Sequence, residues 1–202
     1  MPPAFHAMVV SLVTGLFFFA LLSVLVRLVI QWRGGDPRSP LAIGADQSAV
    51  WAAVVGWLLI LGAVITGFSI WEPSAAFNSP IMRNKLLTAL LLAVTYALFI
   101  GMRWFLGNRI WRNKVLSAFY AMVAVAGFHW GAVTNSIGGD VAGIPSGYET
   151  IVRLSGVDTR FTYYLPTWVL AVIVVISVGL LVLAFTSRRS GKEAAMKSSA
   201  VD

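Results

Sequence analysis

Long uninterrupted runs of apolar residues restrict the fold of this chain more than any other feature. A helix needs about 20 apolar residues to cross roughly 30 Å of hydrocarbon. Five runs are long enough, at residues 7–30, 49–71, 86–105, 115–137 and 166–186. Backbone polar groups in lipid must be satisfied within the segment, and the alternation of a barrel strand is missing, so these runs predict helices. We therefore expect an all-α integral membrane bundle of five transmembrane helices.

The composition supports a membrane environment. Of the 202 residues, 58% are hydrophobic and 11% are charged, whereas soluble domains carry roughly 25% charged residues. The apolar runs leave room for one transmembrane domain, residues 1–187, and a basic tail, 188–202, which we expect to be disordered. The absence of cysteine excludes disulfide scaffolds, thiolate metal sites and covalent attachment of c-type haem.

Basic residues are distributed unevenly between the two sides of the predicted bundle. The first loop region, the third loop region and the tail share one side and hold 11 of the 15 basic residues. By the positive-inside rule this side is cytoplasmic, so the N-terminus is expected outside and the C-terminus inside. We interpret the net charge of +7 as a signal of topology and not of nucleic-acid binding. The 11 residues are Arg27, Arg33, Arg38, Arg103, Arg109, Arg112, Lys114, Arg188, Arg189, Lys192 and Lys197.

His129 is the strongest candidate for holding a cofactor. It lies in the fourth predicted span between Gly127 and Gly131, a spacing that permits close approach of a helix or a flat cofactor. An imidazole in this setting could ligate the iron of haem b or a chlorophyll magnesium, or hydrogen-bond a quinone. The alternative is a histidine bonded to a Ser, Thr or Asn of a neighbouring helix, with glycines that serve helix packing.

His6, the second histidine, lies at the outer mouth of the first span. Both histidines fall in the outer half of the membrane, but their depths differ by roughly 12 Å on ideal helices. This difference opposes joint ligation of one haem iron. Met8 and Met122 are further conceivable haem ligands, although methionine more commonly fills space in apolar cores.

Carboxylates and lysines are expected to lie outside all five spans, in the loops. This placement removes the usual groups of ion-coupled transport, and no internal repeat supports an inverted-repeat transporter. The longest predicted loop, residues 138–165, lies on the outer side. It is the best candidate for contact with an extracytoplasmic partner, and the alternative is a simple cover over the helix ends.

Three short motifs resemble domain-of-unknown-function family 2231, a group of small four-helix bacterial membrane proteins. They are the stretch His6-Ala7-Met8-Val9-Val10, the pair Thr66-Gly67 and the segment Ile137-Gly138-Gly139-Asp140-Val141. The resemblance covers about residues 5–147 and makes the fifth span an addition. It implies an electron-transfer setting. The family commonly has proline after the first histidine and a second histidine five residues on. Ala7 and Ser11 stand there, so half of any histidine ligand set would be missing.

Together these features predict a small integral-membrane subunit of a larger respiratory or photosynthetic electron-transfer complex. Such a subunit would bind haem b or contribute to a quinone site. The alternative is a non-catalytic accessory subunit that stabilises a membrane enzyme; a transporter or channel is disfavoured. No catalytic motif is found, so the chain is not expected to be an enzyme on its own. The expected partners are lipid and other membrane subunits, in the cytoplasmic (inner) membrane of a bacterium or archaeon.

Overall fold

The computed structural model describes residues 3–144 and 146–154, and the single positions 168, 171, 172, 174–176 and 179. Apart from those positions, the predicted fifth span at 166–186 lies outside the described residues, as does the predicted tail at 188–202. The described part is helical, without strands. Its helices are α1 (Pro3–Trp32), α2 (Pro40–Phe68), α3 (Pro73–Asn78), α4 (Pro80–Leu106), α5 (Lys114–Val141) and α6 (Gly147–Leu154), with a 3-10 helix, Gly107–Arg112, between α4 and α5.

Helices α1, α2, α4 and α5 are each long and apolar enough to cross a membrane. Many large apolar side chains on their outward faces are exposed, including Leu12, Trp51 and Met122. Exposed apolar area on this scale is unfavourable in water and favourable in hydrocarbon. The fold is therefore an all-α bundle that fits a multi-pass membrane protein.

Two of these helices begin earlier than the hydropathy pattern predicts. Helix α2 begins at Pro40 and α4 at Pro80, each directly after a serine. Proline is favoured in the first turn of a helix because its missing N–H would have no partner there. Ser39 caps α2, since its side chain accepts a hydrogen bond from the backbone N–H of Ala42. The connection between α1 and α2 is thus limited to residues 33–39.

The early starts correct the expectation that the spans contain no carboxylate or lysine. Asp46 belongs to α2 and Lys85 to α4. Asp46 is buried, with 7% of its surface exposed. A transporter was disfavoured because carboxylates and lysines were expected to lie outside the spans. That reason no longer holds.

The predicted outer loop at 138–165 is partly helical. Helix α5 continues to Val141, and α6 occupies Gly147–Leu154. Ser136 of α5 and Ser146, which precedes α6, are hydrogen-bonded at 2.5 Å. Residues 145 and 155–165 lie outside the described part, so the expected extracytoplasmic partner stays a prediction.

The four long helices form a closed ring around an aromatic core. Helix α1 contacts α2 and α5, and α4 contacts α5 and, over a smaller area, α2. In the centre, Phe17 of α1 stacks on Tyr96 of α4 with ring centroids 3.7 Å apart. Nearer the end of α4, Phe99 stacks on Tyr120 of α5 at 4.2 Å. These rings fill one half of the interior, and the other half contains a cavity.

Candidate functional site: a cavity at one end of the bundle

A cavity of about 120 Å³ lies among the four long helices at the end of the bundle where α1 begins. We call this the cavity end. The walls are apolar, formed by Val10, Phe17, Ile60, Leu92, Phe128 and similar side chains. This volume is of the same order as that of an engineered apolar cavity of about 150 Å³ that binds benzene.

His6 is one of the polar groups in this cavity. Its Nδ1 atom lies 2.9 Å from Oγ1 of Thr66 on α2. The next residue, Gly67, leaves room for the imidazole, because a Cβ atom at this position would lie 3.3 Å from Cε1 of His6. A histidine and a Thr-Gly pair 60 residues apart therefore meet at one place.

The hydrogen bonds of Thr66 determine the tautomer of His6. The Thr66 hydroxyl donates to backbone carbonyls of its own helix, at 2.8 Å to Gly62 and 3.1 Å to Ala63. When the hydroxyl proton is engaged in these bonds, the oxygen accepts the bond from His6, and this assigns the proton of neutral imidazole to Nδ1. The lone pair is then on Nε2, the atom that can accept a proton or ligate a metal.

Lys85 is the second polar group of the cavity wall. It lies near the beginning of α4, is partly buried, and faces Gly138 of α5. A Cβ atom at Gly138 would lie 3.1 Å from the Lys85 Nζ atom. Thr14, Thr134 and Asn135 add hydroxyl and amide groups. The cavity thus combines apolar walls with a few polar groups, as small-molecule sites do.

The opposite end of the bundle, which we call the ion-pair end, is closed by a charged cluster around Asp46. Nη2 of Arg103 lies 2.5 Å from Oδ2 of Asp46, and Nε lies 3.0 Å from Oδ1. The indole N–H of Trp111 donates to Oδ1 at 2.8 Å. Donors therefore occupy both oxygens of the buried carboxylate.

Helix α1 joins this cluster through Arg27 and Gln31. The Arg27 guanidinium lies over the Trp111 ring, with Cζ 4.8 Å from the ring centroid. The side-chain amide of Gln31 donates to the backbone carbonyl of Trp111 at 2.7 Å. Arg27 is buried, with 4% of its surface exposed, and does not snorkel outward as its position near the end of the span would suggest.

His129 lies outside the cavity. Its side chain is exposed on the outer surface of α5, and its Nδ1 atom is hydrogen-bonded to the hydroxyl of Tyr148 on α6. Met8 and Met122 are also exposed, at 59% and 62%. The structure therefore does not bring His6, His129 and the two methionines together.

The two glycines beside His129 serve helix packing. A Cβ atom at Gly127 would lie 2.7 Å from Cε2 of Tyr96, and one at Gly131 would lie 3.5 Å from Leu92. Both contacts are with α4. Residues two apart on a helix point in nearly opposite directions, so these glycines face the interior while His129 faces outward. The spacing of Gly127 and Gly131 predicted close approach of a helix or a flat cofactor, and in the structure helix α4 makes this approach.

Sequence reasoning missed Lys85 and Thr66 as members of a site with His6, and Asp46 as a buried acid. The Ser-Pro pairs at 39–40 and 79–80 are the signal that could have placed Asp46 and Lys85 in helices. The pairing of His6 with Thr66 has no local signal, because it depends on how α1 packs against α2.

Comparisons of the chain with family models, curated proteins and solved structures found no match. The resemblance to family 2231 therefore stays a prediction. Two of its three motifs, the His6 stretch and Thr66-Gly67, meet at the cavity, and Gly138 of the third lies against Lys85.

Proposed function

We propose that this protein is a quinone-binding subunit of a membrane electron-transfer complex, with the cavity as its quinone site. The observation that carries this proposal is that His6 and Lys85 both line one mostly apolar cavity. A quinone head group has apolar ring faces and two oxygens on opposite edges. A binding site for this head group needs apolar walls against the ring faces and polar groups near the two oxygens.

The tautomer of His6 favours the reduced form, a quinol. Its Nε2 lone pair can accept a hydrogen bond from a quinol hydroxyl, while Thr66 holds the imidazole by Nδ1. Lys85 can donate to the second oxygen. In this arrangement His6 is also the group that takes the hydroxyl proton when the quinol is oxidised.

We further propose that the cavity end faces the extracytoplasmic side of a prokaryotic cytoplasmic membrane. Basic residues concentrate at the ion-pair end, where Arg33, Arg38, Arg109, Arg112 and Lys114 lie in or beside the connections. The predicted fifth span would lead the chain from the cavity end back to the side of the ion-pair end. The quinone would then enter from the outer leaflet.

Binding can be measured with the purified protein in lipid nanodiscs and a short-chain benzoquinol with a decyl tail. Trp71 lines the cavity, so saturable quenching of tryptophan fluorescence reports occupancy. We expect His6→Ala and Thr66→Val to weaken binding by about tenfold, the effect of losing one buried hydrogen bond. The exposed His129→Ala is the matched control and should bind as the parent does. Absence of saturable quenching in the parent would reject the quinone site and favour the accessory-subunit alternative.

The visible spectrum of the same preparation tests the haem alternative. A Soret band that is lost in His6→Ala but kept in His129→Ala would assign haem to the cavity, through the Nε2 lone pair of His6. The reverse pattern would assign it to the outer face of α5. The first result would replace the quinone proposal, because haem and quinone would then compete for one cavity.

A further inference from the structure

The amine of Lys85 is isolated from opposite charge. Among residues 3–144 and 146–154, its side chain makes no hydrogen bond or ion pair. Most of the cavity wall is apolar, including Met82, Leu86 and Ala89 of its own helix. An unpaired ammonium is costly in such surroundings, whereas an uncharged amine is tolerated.

The end of the Lys85 side chain lies against Gly138 of α5. Gly138 leaves space for it, because a Cβ atom there would lie 3.1 Å from Nζ and 3.4 Å from Cε. His6 shares the same cavity and adds a second group that can exchange protons. An amine that is desolvated in an apolar pocket is an activated nucleophile toward carbonyl carbon.

We propose that Lys85 forms an imine with a lipid-soluble aldehyde that enters the cavity. The Nζ lone pair attacks the carbonyl carbon and a C–N bond forms. The carbonyl oxygen and two protons from nitrogen then leave as water, and a C=N bond remains. No oxidant or reductant is needed. This activity goes beyond quinone binding and does not depend on it, since it requires only the cavity and the amine.

The experiment uses the full chain in nanodiscs, treated with benzaldehyde and then with borohydride, which reduces an imine to a stable amine. Mass spectrometry of peptides locates the benzyl group. We expect labelling of Lys85 to be about tenfold faster than that of Lys114, which is exposed at the first position of α5. A charged probe, 4-carboxybenzaldehyde, should not show this preference, because its carboxylate is excluded from an apolar cavity.

Two variants complete the test. Lys85→Met should abolish the fast labelling, and Lys114→Met should keep it. Equal labelling of Lys85 and Lys114 in the parent protein would overturn the proposal, and this outcome does not depend on whether a variant folds. Quinol binding without selective labelling would reject the imine alone, and selective labelling without quinol binding would reject the quinone site alone.

Discussion

A buried carboxylate is stable only when donors occupy its oxygens, and Asp46 meets this condition through Arg103 and Trp111. The three residues belong to α2, α4 and the 3-10 helix, so one side chain holds together three separate segments. The bond between His6 and Thr66 plays a similar part for α1 and α2 at the cavity end. Polar contacts between single side chains thus connect the helices at both ends of this bundle.

Removal of the Asp46 carboxylate should be strongly destabilising. Asp46→Ala leaves the partly buried Arg103 guanidinium without its acid, and removing one partner of a buried ion pair costs up to about 3–5 kcal/mol. We expect this loss in the free energy of unfolding, measured by denaturant titration in mixed micelles. Glu72→Ala, in the exposed connection after α2, is the matched control and should change stability little. Equal stability of the two variants would contradict this account of the ion-pair end.

At the scale of helices, the central stack of Phe17 on Tyr96 depends on two glycines of the neighbouring helices. Gly56 of α2 lies against Phe17 and Gly127 of α5 against Tyr96, and a Cβ atom at either position would approach the ring to 2.7 Å. Both rings are almost fully buried, and the Tyr96 hydroxyl donates to the Phe17 carbonyl at 3.2 Å. The rings therefore have little room to move away.

Gly127→Ala and Gly56→Ala should destabilise the bundle. Forcing a methyl group into a filled core costs about 1–3 kcal/mol, which outweighs the gain of up to about 1 kcal/mol from replacing glycine by alanine in a helix. Gly101→Ala on α4 is the control, because no atom lies within 4 Å of a Cβ there. It should be neutral or stabilising. Thermal unfolding in the same micelles distinguishes these outcomes, and a Gly127→Ala protein as stable as Gly101→Ala would contradict the packing argument.

At the scale of the whole molecule, the two ends of the bundle differ in what fills them. Large and charged side chains such as Trp111, Tyr120 and Arg103 close the ion-pair end. Small residues, including Ala63, Gly67 and Gly131, line the cavity end and leave it open. The proposed orientation assigns the cavity end to the extracytoplasmic side and the ion-pair end to the cytoplasmic side.

Cysteine labelling tests this orientation directly, because the native chain contains no cysteine. We expect Ser74→Cys, in the connection between α2 and α4, to react with a membrane-impermeant maleimide in intact cells. Pro37→Cys, in the connection between α1 and α2, should react only after the cells are opened. Asp202→Cys should behave as Pro37→Cys does if the predicted fifth span crosses the membrane. The opposite pattern at Ser74 and Pro37 would invert the orientation.

Much of the architecture could be predicted because hydropathy is a local property. Four of the predicted spans overlap with α1, α2, α4 and α5, and α4 ends next to Gly107, which has a positive φ of 54°. The hydropathy pattern placed the starts of α2 and α4 too late. Their first two turns, after Pro40 and Pro80, contain polar residues and therefore do not belong to an apolar run. The site was harder to predict, since His129 and Gly127 are neighbours in sequence but lie on opposite faces of α5.

The amino-acid sequence by itself determined that this chain forms long apolar helices, because burying backbone in hydrocarbon leaves no other structure for such runs. Only the tertiary structure decided which polar residues meet. His6 reaches Thr66, and Asp46 reaches Arg103, through the rotation and pairing of whole helices. The rotation and pairing of the helices depend on side-chain contacts between segments far apart in the chain. The pattern of residues along one segment does not predict these contacts.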